Sequence, residues 1–240
     1  NFTSCKPDDT TEDEPVEEPA KKLVKFARNG NETIFNYDEQ GHLIEYSVVM
    51  GVLTTYTFVW GENTIDITLD LAGVYQEKCT LKLENGLASE IIEAPLTLTS
   101  SFKYNSSNRL IECEDWLGPR SFEWNDDKLM AIHDGFTSSS GIKTYTYNNN
   151  TTKGYNPLIP LQVLPTELLY MAHPELAGLV SQKLIDIEDS YDILNNGEEC
   201  TYSYKYEYEF DEDGYINKII VRNNEEDSEY IVGEYTFVWE

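Results

Sequence analysis

The chain has 240 residues and a mass of 27.6 kDa, with 17 basic against 44 acidic side chains and a formal charge of -27. Charge of that sign repels nucleic-acid phosphates and anionic lipid headgroups, which argues against both as partners. At 40% hydrophobic and 12% aromatic residues the chain can bury a core, and it holds no run of about 18 apolar residues that would make a transmembrane helix.

Residues 1–19 are polar, with Asp8, Asp9, Glu12, Asp13, Glu14, Glu17 and Glu18 set among Pro7, Pro15 and Pro19. Such a stretch cannot offset its chain entropy by burial, so it reads as a flexible acidic tether ahead of a single domain over 20–240. Thr3-Ser4-Cys5 resembles the small-residue end of a bacterial lipobox, with Phe2 where that motif usually carries Leu, Val or Ile. Lys6-Pro7-Asp8-Asp9 is similar to the acidic export signal of Bacteroidetes surface lipoproteins. The resemblance implies that Cys5 is the lipid attachment site and that residues 1–4 are the stub of a signal peptide. Asp9-Thr10-Thr11 also resembles the O-glycosylation site of the same bacteria, with Thr10 as acceptor. Acyl chains contribute about 0.8 kcal/mol per buried methylene, so several on one cysteine hold a protein at a membrane.

From residue 35 onward one pattern recurs: alternating aromatics, a short Asn/Asp/Gly turn, then Leu or Ile followed three residues later by another apolar side chain. Phe35-Asn36-Tyr37 turns through Asp38–Gly41 into Leu43 and Tyr46. Leu81-Lys82-Leu83, Phe102-Lys103-Tyr104, Phe122-Glu123-Trp124 and Tyr208-Glu209-Phe210 each lead into a comparable turn. Tyr56-Thr57-Phe58-Val59-Trp60 recurs without change as Tyr235-Thr236-Phe237-Val238-Trp239. Period-two alternation puts the aromatics of a strand on one face, and the turn residues tolerate the positive φ of tight hairpins. In residues 201–210 that face would carry Tyr202, Tyr204, Tyr206, Tyr208 and Phe210. The apolar-x-x-apolar step after each turn breaks alternation and implies a recurrent bulge. The expected fold is mainly β: an antiparallel meander of repeated hairpins, about 12–15 strands, forming a curved or closed barrel-like sheet.

Residues 155–182 depart from this pattern. Pro157, Pro160, Pro165 and Pro174 punctuate it, Thr166–Ala172 reads as a short helix capped by Thr166, and Pro174–Val180 reads as another. Both are apolar on most sides, so this helical insert should pack on the inner, aromatic face of the sheet.

The hairpins resemble YD-type repeats. With the lipoprotein-like start and the Pro165–Met171 segment, they are similar to a Bacteroidetes surface lipoprotein family of unknown function with a porin-like fold. That resemblance implies the fold, an outer-membrane, surface-exposed setting, and no reaction. A membrane-spanning barrel would instead need a lipid-facing band of Leu, Val and Ile, whereas the face opposite the aromatics carries Lys and Glu.

No catalytic, metal or cofactor motif stands out. The histidines are scattered, with His42 in a turn, His133 near a strand end and His173 ahead of a helical proline, where it could cap. Cys79, Cys113 and Cys200 lack metal-ligand spacing and read as small buried hydrophobes. Asp211-Glu212-Asp213-Gly214 reads as a solvated turn rather than a calcium loop. Trp116, in Glu114-Asp115-Trp116-Leu117-Gly118-Pro119, either caps the barrel or offers a stacking face to a ligand. The expected function is a non-catalytic binding or accessory subunit of an outer-membrane uptake complex for peptide or glycan, partnered by an importer barrel and its lid lipoprotein. A cell-surface hydrolase acting on glycans or peptides is the alternative, and it needs two carboxylates in a cleft.

Overall fold

The computed structural model describes residues 20–49, 51–94, 99–115, 118–135, 139–164, 168–194, 196–224 and 230–240. Sixteen antiparallel strands pair each with its chain neighbours, and the first pairs with the last to close a barrel. The strands are β1 (Leu23–Arg28), β2 (Asn31–Tyr37), β3 (Leu43–Val49), β4 (Leu53–Trp60), β5 (Thr64–Leu71), β6 (Tyr75–Glu84), β7 (Leu87–Ala94) and β8 (Thr99–Tyr104). They continue as β9 (Leu110–Asp115), β10 (Gly118–Asn125), β11 (Lys128–Asp134), β12 (Ser139–Thr151), β13 (Lys183–Leu194), β14 (Glu199–Phe210), β15 (Ile216–Asn223) and β16 (Ile231–Trp239). Closure leaves no edge strand exposed. The count exceeds the expected 12–15 partly because β5 and β6 build their inner face from Ile65, Ile67 and Leu81 rather than from paired aromatics.

The bulge inferred from the sequence is present in every odd-numbered strand except β5. The extra residues are Val24, Ile44, Ser89, Ile111, Met130, Asp186 and Asn217. The carbonyl just before each bulge accepts a hydrogen bond from an aromatic side chain at the end of the following even strand. Tyr37 donates to Leu23, Trp60 to Leu43, Tyr104 to Ala88, Trp124 to Leu110, Tyr147 to Leu129, Tyr208 to Ile185 and Trp239 to Ile216, at 2.7–2.9 Å. The exception is consistent with this pairing of bulge and donor: β5 has an unbroken register with β4, and near its end β6 carries Leu83, whose side chain has no donor. The repeated pentapeptide therefore does one job twice, on β4 and on β16. We call this end of the barrel proximal; its turns carry Asp38, Asn85, Asn108, Asp126 and Asp211, with positive φ at Asn85, Asn108 and Asp126.

At the proximal level Leu43, Ile65, Ala88, Leu110, Leu129, Ile185 and Ile216 are all fully buried, so the lumen there is dry around its circumference. The material filling it is the β12–β13 connection. α1 (Leu158–Val163) rises into the barrel, and α2 (Leu169–Ala172) and a 3₁₀ turn (Pro174–Ala177) return to the proximal end. Ile159, Val163, Tyr170, Ala177 and Leu179 have no exposed surface. This bears out a helical insert inside the sheet but corrects its details. α1 was not expected, because Pro157 and Pro160 read as breakers. Pro160 in fact occupies the first turn, where its missing N–H has no partner to lose. The second expected helix is only the short 3₁₀ turn, and Thr166 lies outside the described residues.

The outward face carries charged pairs at mid-strand, with exposed Ile34, Ile44, Val59 and Val238 among them. Cross-strand ion pairs join Lys25 to Glu32, Lys82 to Glu90, Lys103 to Glu112, Arg222 to Glu207 and Lys218 to Glu234. A lysine or arginine facing lipid at the bilayer midplane costs about 2–4 kcal/mol. Such pairs disfavour contact with lipid at the positions that carry them.

Candidate binding site at the distal end

The lumen opens at the distal end, where β1–β2 and β3–β4 turn. There a cavity of about 740 Å³ lies above the insert, a volume typical of small-molecule sites. Leu161 and Leu168 form its floor, Phe26, Tyr46, Val48 and Tyr56 its wall, and Arg28, Asn29 and Asn31 its mouth. Alternation places these side chains inward: the bulge at Val24 sets Phe26 and Arg28 in phase with Leu23, and the bulge at Ile44 does the same for Tyr46 and Val48. The Tyr46 and Tyr56 rings stack with centroids 4.5 Å apart. The Arg28 guanidinium lies over the Tyr235 ring, 5.7 Å from its centroid, and no described carboxylate lies within ion-pairing distance of it.

The rim around this mouth is apolar, unlike the acidic and amide-rich proximal turns. Val52 and Leu53 are half exposed, Val74 is 90% exposed and Tyr230 71%, with Tyr75, Ile193, Leu194 and Ile231 also open to solvent. Exposed apolar side chains concentrated at one end mark an interaction surface more often than scattered ones do.

Across the lumen a polar cluster ties the insert to the wall. The buried Glu188 carboxylate accepts from the Tyr206 hydroxyl and lies 3.8 Å from the Lys143 ammonium. The Gln162 amide of α1 donates to Tyr206 at 3.0 Å. Arg120 donates to the Val163 carbonyl at 2.8 Å and pairs with Asp115 at 2.5 Å. Burial raises the Glu188 and Asp134 carboxyls above the usual range, with Lys143 opposing in both cases. Burial and the adjacent Glu188 carboxylate push Tyr206 well up as well. Glu188, Tyr206 and Arg120 are each committed to partners within this cluster, so it works as a clamp.

The sites inferred from the sequence fare unevenly. Cys5, Thr10 and Trp116 lie outside the described residues. Tyr204, Tyr206 and Tyr208 do point inward, and Tyr206 meets the insert at α1 through Gln162. Tyr202 is 47% exposed at the distal rim, stacked on Tyr204, and Phe210 is exposed at the proximal end. His173 makes no side-chain cap; its Nε2 accepts from the Leu43 N–H at 3.1 Å and its Nδ1 meets Glu175 at 2.7 Å. His42 stacks on Trp60, and His133 pairs with Glu123 on the outer wall. Among the three described cysteines, all unbridged, only Cys113 is buried, while Cys79 and Cys200 are half-buried, against the expectation that most or all would be buried. Asp211 accepts from the backbone N–H groups of Asp213 and Tyr215 and pairs with Lys21, as a structured turn does.

No protein-family model and no curated protein matches this sequence. Among solved structures, a porin-like protein from Bacteroides uniformis is similar at a TM-score of 0.65 and 16% identity, covering 92% of this chain and 99% of that one. A porin-like protein from Bacteroides vulgatus aligns over 92% of this chain and 85% of that one, at 14% identity and a TM-score of 0.33. The first of these likenesses establishes a porin-like barrel fold.

Proposed function

We propose that this chain is a non-catalytic binding module of the outer membrane, tethered through Cys5 and serving as an accessory subunit of a nutrient-uptake assembly. The observation that carries this reading is the combination of a polar outer wall with a lumen sealed by the chain's own insert. A porin needs the reverse on both counts, a lipid-facing apolar band and a water-filled interior. What remains available is the distal end, with its cavity and apolar rim, set at the opposite end of the barrel from the point where the tether enters β1. The porin-like likeness supports an outer-membrane setting, and the acidic exterior suits docking on a basic partner surface. A hydrolase would need two carboxylates open to a cleft, and no carboxylate is among the described residues that line the distal cavity. Gentle solubilisation of native outer membranes followed by affinity purification tests the proposal. Stoichiometric recovery of an importer barrel is the expected result, and recovery of the chain alone at every salt concentration would overturn the accessory role.

A further inference from the structure

Resting on the binding-module reading, we propose that the distal cavity is a binding site for a small amphipathic carboxylate, with its acid group on Arg28 and its apolar body between Tyr46, Tyr56 and the insert.

Three observations converge on that class. The wall and floor are aromatic and aliphatic, formed by Phe26, Tyr46, Val48, Tyr56, Leu161 and Leu168, so the bulk of the ligand must be apolar. The cavity's cation is Arg28, whose guanidinium sits at the mouth over Tyr235, flanked by Asn29 and Asn31. A guanidinium offers a planar pair of donors that match a carboxylate, and neighbouring amides can complete the set. In a chain of charge -27, a cation held at the opening of an apolar cavity is a local reversal of sign, and it gives an anionic group a place to end that the rest of the surface denies.

The rim adds an independent constraint. Val49 lines the cavity, and Val52 and Leu53 continue the apolar surface outward from it. A ligand longer than the cavity can therefore run out across an apolar rim without exposing its chain to water. This suits an acyl or aryl-alkyl acid, with its polar end among Arg28, Asn29 and Asn31 and its chain along the apolar wall. The clamp on the other side of the lumen keeps the floor in place, because Gln162 and the Val163 carbonyl fix α1 against Tyr206 and Arg120.

The test uses the full chain carrying Cys5→Ala, titrated calorimetrically with octanoate and with octanamide, its uncharged counterpart. Saturable binding of octanoate at one site is expected, about tenfold or more tighter than octanamide. Arg28→Gln should weaken octanoate about tenfold or more and so remove that preference, and Val48→Trp, which fills the cavity, should abolish binding of both. Arg28 is exposed and Val48 borders empty space, so a thermal melt on each variant separates lost binding from lost fold. No saturable octanoate binding, equal affinity for acid and amide, or affinities unmoved by both substitutions would overturn the assignment. The titration reads the isolated chain, so it is decided separately from whether an importer barrel co-purifies.

Discussion

Replacing Tyr147 by Phe deletes one hydroxyl and nothing else. That hydroxyl donates to the Leu129 carbonyl at 2.7 Å, and Leu129 is fully buried beside the bulge at Met130. An acceptor left without its donor in a dry site costs about 1–3 kcal/mol. For a domain of this size 1 kcal/mol corresponds to about 2–4 °C in Tm, so Tyr147→Phe should melt about 4–8 °C lower for a loss near 2 kcal/mol. Tyr37→Phe, Tyr104→Phe and Tyr208→Phe remove the same contact from Leu23, Ala88 and Ile185 and should behave alike. Tyr75→Phe, at the exposed rim, is the matched control and should fall within about 0.5 kcal/mol of wild type. Burial raises the Tyr147 hydroxyl above its ordinary value of 10.0. The sign follows: the protonated form is favoured in the folded chain, so its contribution is intact below about pH 10 and is lost as pH rises further. The phenylalanine variant should therefore show a shallower alkaline loss of stability. Differential scanning calorimetry across pH reads both effects. If all four variants melt with the Tyr75→Phe control, the hydroxyl donors are not what secures the bulges.

Three further outcomes follow from the interior. Leu179→Asp places an uncompensated charge where no water reaches and should cost several kcal/mol in denaturant unfolding; an unchanged midpoint would mean that the insert is not packed in the lumen. Burial raises the Glu188 carboxyl, so its contribution is most favourable below the ordinary pKa of about 4.5 and is lost as pH rises through the folded value. Glu188→Gln should thus gain stability relative to wild type at pH 7 and lose that advantage toward pH 4, and a pH-independent difference would contradict the cause assigned. Burial pushes the Cys113 thiol up to about 11, so peptide-mapped alkylation at pH 8 should label Cys79 and Cys200 well before Cys113; equal rates at all three would contradict the burial.

Much of the barrel was legible because its rules are local. Aromatic alternation gave the inward face, and the step from Leu43 to Tyr46 or from Ile216 to Ile219 gave the bulge. What the aromatics do at the strand ends was not legible, since the bond from Trp124 to Leu110 forms only when neighbouring strands meet in register. The clamp stayed hidden for a related reason. Alternation counted from Ile185 sends Glu188 outward, and only the bulge at Asp186 turns it into the lumen beside Tyr206. The distal cavity draws on β1 to β4 and on Leu161 and Leu168 of the insert, residues far apart in sequence and individually unremarkable. β5 escaped the pattern because Ile65 and Ile67 stand where other strands carry aromatics and its register with β4 is unbroken, whereas Leu81-Lys82-Leu83 of β6 was legible as a strand leading into a turn. Cys5 and Thr10 were read from motif resemblance, and residues 1–19 lie outside those described.

The most direct test of a water-facing, sealed barrel is made on the full chain with Cys5→Ala, purified without detergent and then added to a planar lipid bilayer under voltage. The polar wall and buried insert predict a monodisperse folded species in buffer and no conductance steps. Aggregation without detergent together with discrete ion-conducting steps in the bilayer would contradict the account.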